Sequence, residues 1–122
     1  MRNQPEAAIE ALERARRLSP FDPLAHRIAL AHLVARRFEQ AIEWADRALH
    51  DQPRMVVAML LKVVANAHLG HLDEARAELS RMLAIDPKLT IAEILRRYAD
   101  FTAPEVLELY VTGLRLAGLP EK

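Results

Sequence analysis

The chain of 122 residues contains no cysteine. Disulfides, thiolate zinc sites and cysteine nucleophiles are therefore excluded. Glycine is scarce, at three residues, and the aromatics amount to three Phe, two Tyr and one Trp. A β-sandwich or barrel needs many tight turns, so these scarcities disfavour one. Three scattered glycines also cannot build a phosphate-cradling loop. Neither sign of charge is in excess, with 17 basic and 17 acidic side chains. A nucleic-acid binder normally needs a basic excess or patch, so nucleic acid is not an expected partner. Long hydrophobic runs are missing too. The longest covers residues 55–61 and ends at Lys62, whereas a membrane-spanning helix needs about 20 apolar residues. The first residues lack the apolar stretch of a secretory leader. The expectation is a soluble, cytoplasmic chain with no membrane partner.

What is present points to helices. Apolar residues make up 52% and charged residues 28%, enough to bury a core and solvate a surface. Ala and Leu, both strong helix formers, are abundant. Seven prolines, at positions 5, 20, 23, 53, 87, 104 and 120, punctuate the chain, because proline breaks helix interiors and is tolerated in the first turn. They predict helices over residues 4–18, 23–36, 38–51, 54–69, 72–85, 90–99 and 103–117. Asn3 with Glu6, Thr90 with Glu93, and Thr102 with Glu105 fit the reciprocal capping box. Asp22 before Pro23 reads as a cap followed by a first-turn proline. Gly70 and Gly118 suit the left-handed turn that ends a helix. No segment alternates as a strand would, so the expected fold class is all-α.

The chain also repeats itself. Ala8, Ala41 and Ala75 align, as do Pro20, Pro53 and Pro87, at a period of about 34 residues. Between these anchors lie Leu12, Ala45 and Leu79, then Ala15, Ala48 and Met82. Small residues recur where a neighbouring helix must approach closely. The clearest unit runs through Gly70, Leu72, Asp73, Glu74, Ala75, Leu79, Met82, Asp86 and Pro87. The second has Phe38, Glu39, Gln40, Ala41 and Pro53.

On these residues the chain resembles the tetratricopeptide repeat over roughly residues 5–87. The resemblance implies a right-handed α-α superhelix of helix hairpins, about two and a half repeats, closed by capping helices. It implies one domain over 1–122, made of a half repeat 4–20, repeats 22–53 and 54–87, and a C-terminal cap 88–119. The family usually has a large apolar residue and an aromatic four positions apart on the first helix of a unit. Those positions hold Ile28 and His32 in one unit and Lys62 and Asn66 in the other. A narrower likeness rests on the turn at residues 69–76, Asp86 with Pro87, and the tail from Leu107 to Glu121. These look like the C-terminal repeat region of bacterial class III adenylate/guanylate cyclases and related winged-helix regulators. No cyclase or winged-helix segment is present. Arginine outnumbers lysine 14 to 3, which agrees with a GC-rich bacterial source.

Residues 5–20 match only the second helix of a unit. Ala8, Ile9, Leu12, Ala15 and Leu18 form an apolar stripe there. It is expected to be covered in part by residues 23–36, with the rest exposed, paired with another copy or met by upstream sequence. Self-association to a homodimer would then involve Ile9 and Leu12, with Trp44 either packing on the adjacent repeat or anchoring a partner. At the other end Val106, Leu107, Tyr110, Val111 and Leu114 share one face, and Gly113 implies close helix approach.

Catalytic chemistry is not legible. Ser19 and Ser80 lie in no nucleophile elbow. His68 and His71 are three apart, but Gly70 between them ends the helix, and zinc needs a third protein ligand. No metal or cofactor is expected, and the chain is not expected to be an enzyme. Asp73 and Glu74 suit a helix first turn, and the arginine pairs 16–17, 36–37 and 96–97 suit helix ends. What the resemblance implies is a concave face that binds protein segments, made here of His26, Leu30, Leu33, Leu60, Leu61, Val64 and His68. This mostly apolar set would take an amphipathic helix or apolar peptide, unless residues 90–117 fold back and fill the groove. The Lys, Asn and Arg set that clamps a C-terminal carboxylate in some relatives is absent from those positions.

Overall fold

A computed structural model describes residues 4–18 and 24–122. Seven α-helices follow one another: α1 Gln4–Leu18, α2 Ala25–Val34, α3 Phe38–Asp51, α4 Val56–His68, α5 Leu72–Ile85, α6 Ile91–Tyr98 and α7 Pro104–Ala117. A 3₁₀ turn, Ala99–Phe101, joins α6 to α7. No strand occurs among the described residues. The all-α reading holds, and each helix lies within two residues of its expected limits. Asn3, Pro20 and the Asp22–Pro23 cap lie outside the described residues.

Three helix ends share one device. Arg37 donates its backbone N–H to His32 O at 2.8 Å, His71 to Asn66 O at 2.8 Å, and Leu119 to Leu114 O at 3.0 Å. Each closes a Schellman turn through a left-handed residue, namely Arg36 (φ 60°), Gly70 (φ 83°) and Gly118 (φ 99°). Gly70 and Gly118 were expected in that role; Arg36 takes it despite its Cβ. At the start of α6, Glu93 donates its N–H to Thr90 Oγ1 at 3.1 Å, as the capping box requires. The Thr102 box does not form. Ala103 is the cap of α7, with Pro104 in the first turn and no side-chain cap bond.

Helix α4 is the hub. Its residues Ala58, Met59, Leu60, Leu61, Val63, Val64, Ala65, Asn66 and Ala67 are all buried, as in any helix that is apolar around its whole circumference. It packs between α3 and α5, and α7 crosses it as well. Close approach on the α3 side uses Ala41 and Ala45, and on the α5 side Ala75. At Gly113 of α7 a Cβ would lie 2.9 Å from Val64 Cα. That glycine therefore lets the last helix seat directly on α4.

The tail returns to the body. Pro120 O accepts the Ile91 N–H at 2.8 Å and Glu121 O accepts the Ala92 N–H at 2.9 Å. Together with Thr90 these satisfy the first three orphan donors of α6. Leu119 is buried, and Arg115 donates to both carboxylate oxygens of Glu121 at 2.9 and 2.8 Å.

Candidate functional site

An open apolar groove of about 1050 Å³ runs between α1, α2 and the start of α7. Leu30, Ala31 and Val34 of α2 line it, with Ala8 and Ala11 of α1 and Ala103 and Val106 beside them. Leu30 and Val34 are half-buried, and Ala8, Ala11 and Ala103 are exposed. Arg27 and Glu105 line the same groove, and both are exposed. Neither has an ion pair among the described residues. Pockets of about 300–1,000 Å³ hold drug-sized molecules, so this one has room for several side chains of a docked segment.

Of the expected concave-face residues, Leu30 reaches this groove. Leu33, Leu60, Leu61 and Val64 do not line an open surface, because each is at most 1% exposed in the core. On α4 the physical reason is α7, which packs along that helix and meets Val64 at Gly113, where an open array would leave a binding face; Leu33 of α2 is buried in the same core cluster. The last third of the chain therefore folds back over α4, while the start of α7 borders the groove beside α2 without filling it. His68 is half-buried beneath the same helix. Its Nε2–H donates to Leu109 O at 3.0 Å, and its ring stacks on Phe38 at 5.2 Å. His26 is half-buried near the start of α2.

The stripe on α1 is divided. Ile9 is buried within the chain, so it is not offered for self-association. Leu12 belongs to α1, but its side chain lies outside the described residues. Trp44 packs on the Ala25, Ala48 and Ala58 cluster, and the Arg47 guanidinium sits 4.3 Å above its ring.

Polar groups inside the fold are mostly structural. Lys62 Nζ lies 2.7 Å from Asp46 Oδ1 and 2.9 Å from Glu78 Oε1. Arg81 adds a second contact to Glu78 Oε1 at 3.1 Å. Burial opposes the charge on Lys62, but hydrogen bonds to Asp46 and Glu78 outweigh it and raise its pKa. This network explains how a lysine occupies a slot that is normally apolar. Asn66, in the companion aromatic slot, is buried and donates to Lys62 O at 3.0 Å. His32, in the equivalent slot of α2, is buried with neither ring nitrogen hydrogen-bonded, and its Nε2 is 3.9 Å from Glu13. Burial lowers its pKa, against the pull of Glu13.

Asp73 and Glu74 occupy the first turn of α5 and are exposed, where the helix dipole favours them. Arg96 and Arg97 of the last turn of α6 both bind Glu93, and hold its carboxyl down at about 2. Among the described residues no set of three His, Asp or Glu is placed to hold a metal. No helix among them is long and apolar enough to cross a membrane.

The sequence pattern missed Phe101. This side chain is 78% exposed on the 3₁₀ turn, two residues before Ala103 of the groove lining. A large aromatic between a helix end and a Thr-Ala-Pro stretch was the one available signal.

A profile of the tetratricopeptide repeat family matches the chain over residues 2–53 and again over 26–89. Among curated proteins, the chain is similar to the FK506-binding protein-like of Homo sapiens, at 35% identity over 73% of this chain and 28% of that protein. It is similar to the protein of the same name from Rattus norvegicus, at 38% identity over 50% and 18%. It also resembles the BBSome complex member BBS4 of Mus musculus, at 31% identity over 66% and 16%. The chain thus spans less than a third of the length of each of these relatives. No solved structure gives a significant match.

Proposed function

Because the chain belongs to the tetratricopeptide repeat family, we propose that it is a non-catalytic protein–protein interaction module that docks an amphipathic helix or apolar segment in the α1–α2–α7 groove. The observation that carries this is the groove itself. It is apolar along Leu30, Val34, Ala8 and Ala11 and has one charge of each sign among its lining residues. An amphipathic helix laid in such a groove buries its apolar face and keeps its polar face in water. The coarse function agrees with the family. The finer reading is ours, as is the division into a half repeat 4–20, repeats 22–53 and 54–87, and a cap 88–119.

The test uses peptides selected on the whole chain from a displayed random library, then titrated against variants. Ala11→Arg puts a charge on an exposed α1 position of the groove. It is expected to weaken the selected peptide at least about tenfold, equivalent to about 1.4 kcal/mol. Ser80→Arg, an exposed change on α5, is expected to leave binding unchanged. Equal affinity for Ala11→Arg and wild type would place the peptide elsewhere and end the groove reading.

A second reading treats the chain as a self-associating regulatory segment of a bacterial signalling protein, as the cyclase-like tail pattern implies. The observation favouring its self-associating half is the exposed aromatic Phe101, two residues before Ala103 of the groove lining.

A further inference from the structure

We propose that the groove's occupant is a second copy of this chain, which inserts Phe101 while its Asp100 pairs with Arg27. The inference rests on reading the groove as the docking surface, and it names what docks there.

Phe101 is the most exposed of the large apolar side chains recognised as exposed, at 78% against 47% for Leu116 and 38% for Leu95. It is not a loose side chain. Its ring packs edge-on against Tyr98 at 6.4 Å, and Tyr98 packs edge-on against Tyr110 at 6.0 Å. Tyr110 is buried in the core. The knob is thus braced from inside the fold, and a braced aromatic loses little freedom on binding. Aromatic anchors of this kind dominate interface energies.

The knob and the groove are neighbours in the chain. Ala103 and Val106, which line the groove, lie two and five residues after Phe101. Phe101 nevertheless stays out of its own groove, as its exposure shows. A two-fold axis close to Ala103 would carry each knob over the other copy's groove, and an isologous contact repeats every gain twice. The charges agree. Asp100 is exposed, and like Arg27 it has no ion pair among the described residues. Glu105 lines the same groove and repels an incoming carboxylate. It therefore orients the entering turn with Asp100 toward Arg27.

The test is sedimentation equilibrium of the whole chain over about 10–500 μM, a range that brackets weak dimers. Wild type is expected to dimerise. Phe101→Ser, an exposed change, is expected to weaken the dimer by at least about thirtyfold, as loss of an interface anchor does. Asp100→Arg and Arg27→Asp are each expected to weaken it, and the double variant is expected to dimerise again. Circular dichroism melts of all four variants serve as the folding control. A wild-type monomer throughout the range overturns the proposal, and the peptide titration then shows whether the groove takes a foreign segment instead. A dimer that ignores Phe101→Ser, or a double variant that stays monomeric, also overturns it.

Discussion

His32 shows what one residue costs when its slot expects an apolar ring. It is 6% exposed, and both ring nitrogens are without hydrogen bonds. Glu13 of α1 and Glu43 of α3 favour its protonation, while burial and Arg37 oppose it, and the net effect is a lowered pKa. The sign of the pH dependence follows. Between the lowered folded value and the ordinary value near 6.5, the unfolded chain binds more protons than the folded one. Stability is therefore complete above about pH 6.5 and falls as the pH drops through that window. His32→Phe removes both the titration and the unsatisfied nitrogens. It is expected to stabilise the chain by about 1 kcal/mol at neutral pH, with the gain growing on acidification. Urea denaturation at about pH 7 and about pH 5.5 checks this, and a gain that shrinks at low pH would contradict it. Asn66 sits in the matching slot one unit later without such a cost, because its side-chain amide donates to Lys62 O at 3.0 Å.

At the scale of elements, the end of the chain holds α6 in place. The Pro120 and Glu121 carbonyls cap Ile91 and Ala92, and Leu119 is buried beside them. Deleting residues 119–122 removes one buried leucine, three backbone bonds and the exposed Arg115–Glu121 pair. The expected loss is about 2–4 kcal/mol, most of it from the leucine, with fast amide exchange appearing at Ile91 and Ala92. Unchanged protection there would show that the tail is not a cap. The helices themselves were legible in the sequence, because proline and glycine act locally. Thr90 and Gly118 do what their local context says. Thr102 does not, because Pro104 enters the first turn of α7 and Ala103 becomes the cap. The tail's capping role was not legible, since it joins residues some 30 positions apart through backbone carbonyls that carry no side-chain signature. The groove was legible only at Leu30. Position along a repeat cannot reveal that α7 will seat on α4 at Val64, although Gly113 gave a hint of close approach.

For the whole molecule, packing is unequal along the array, and this sets where it opens. Helix α4 touches α2, α3, α5 and α7 and is buried nearly throughout. Helix α1 packs principally on α2, and among its described side chains Ile9 alone is buried. In a repeat array each unit is held by its neighbours, so an element with one neighbour opens at lower free energy than one with four. Native-state hydrogen exchange is therefore expected to give the slowest amides in α4, near the global unfolding limit. The α1 amides should exchange at least about a hundredfold faster through local opening. The groove links this to function, because Ala8 and Ala11 of α1 form one of its walls. A segment seated there bridges α1 to α2 and α7, and ligand that binds only the closed form stabilises it by mass action. Adding a groove-bound peptide, or raising the protein concentration if copies pair through Phe101, should slow exchange in α1, and should slow α4 by the same factor, because local opening of α1 and global unfolding both release the bound segment. Protection that rises in α4 and not in α1 would mean that α1 opens with the segment still bound, and that its wall is no part of the docking site.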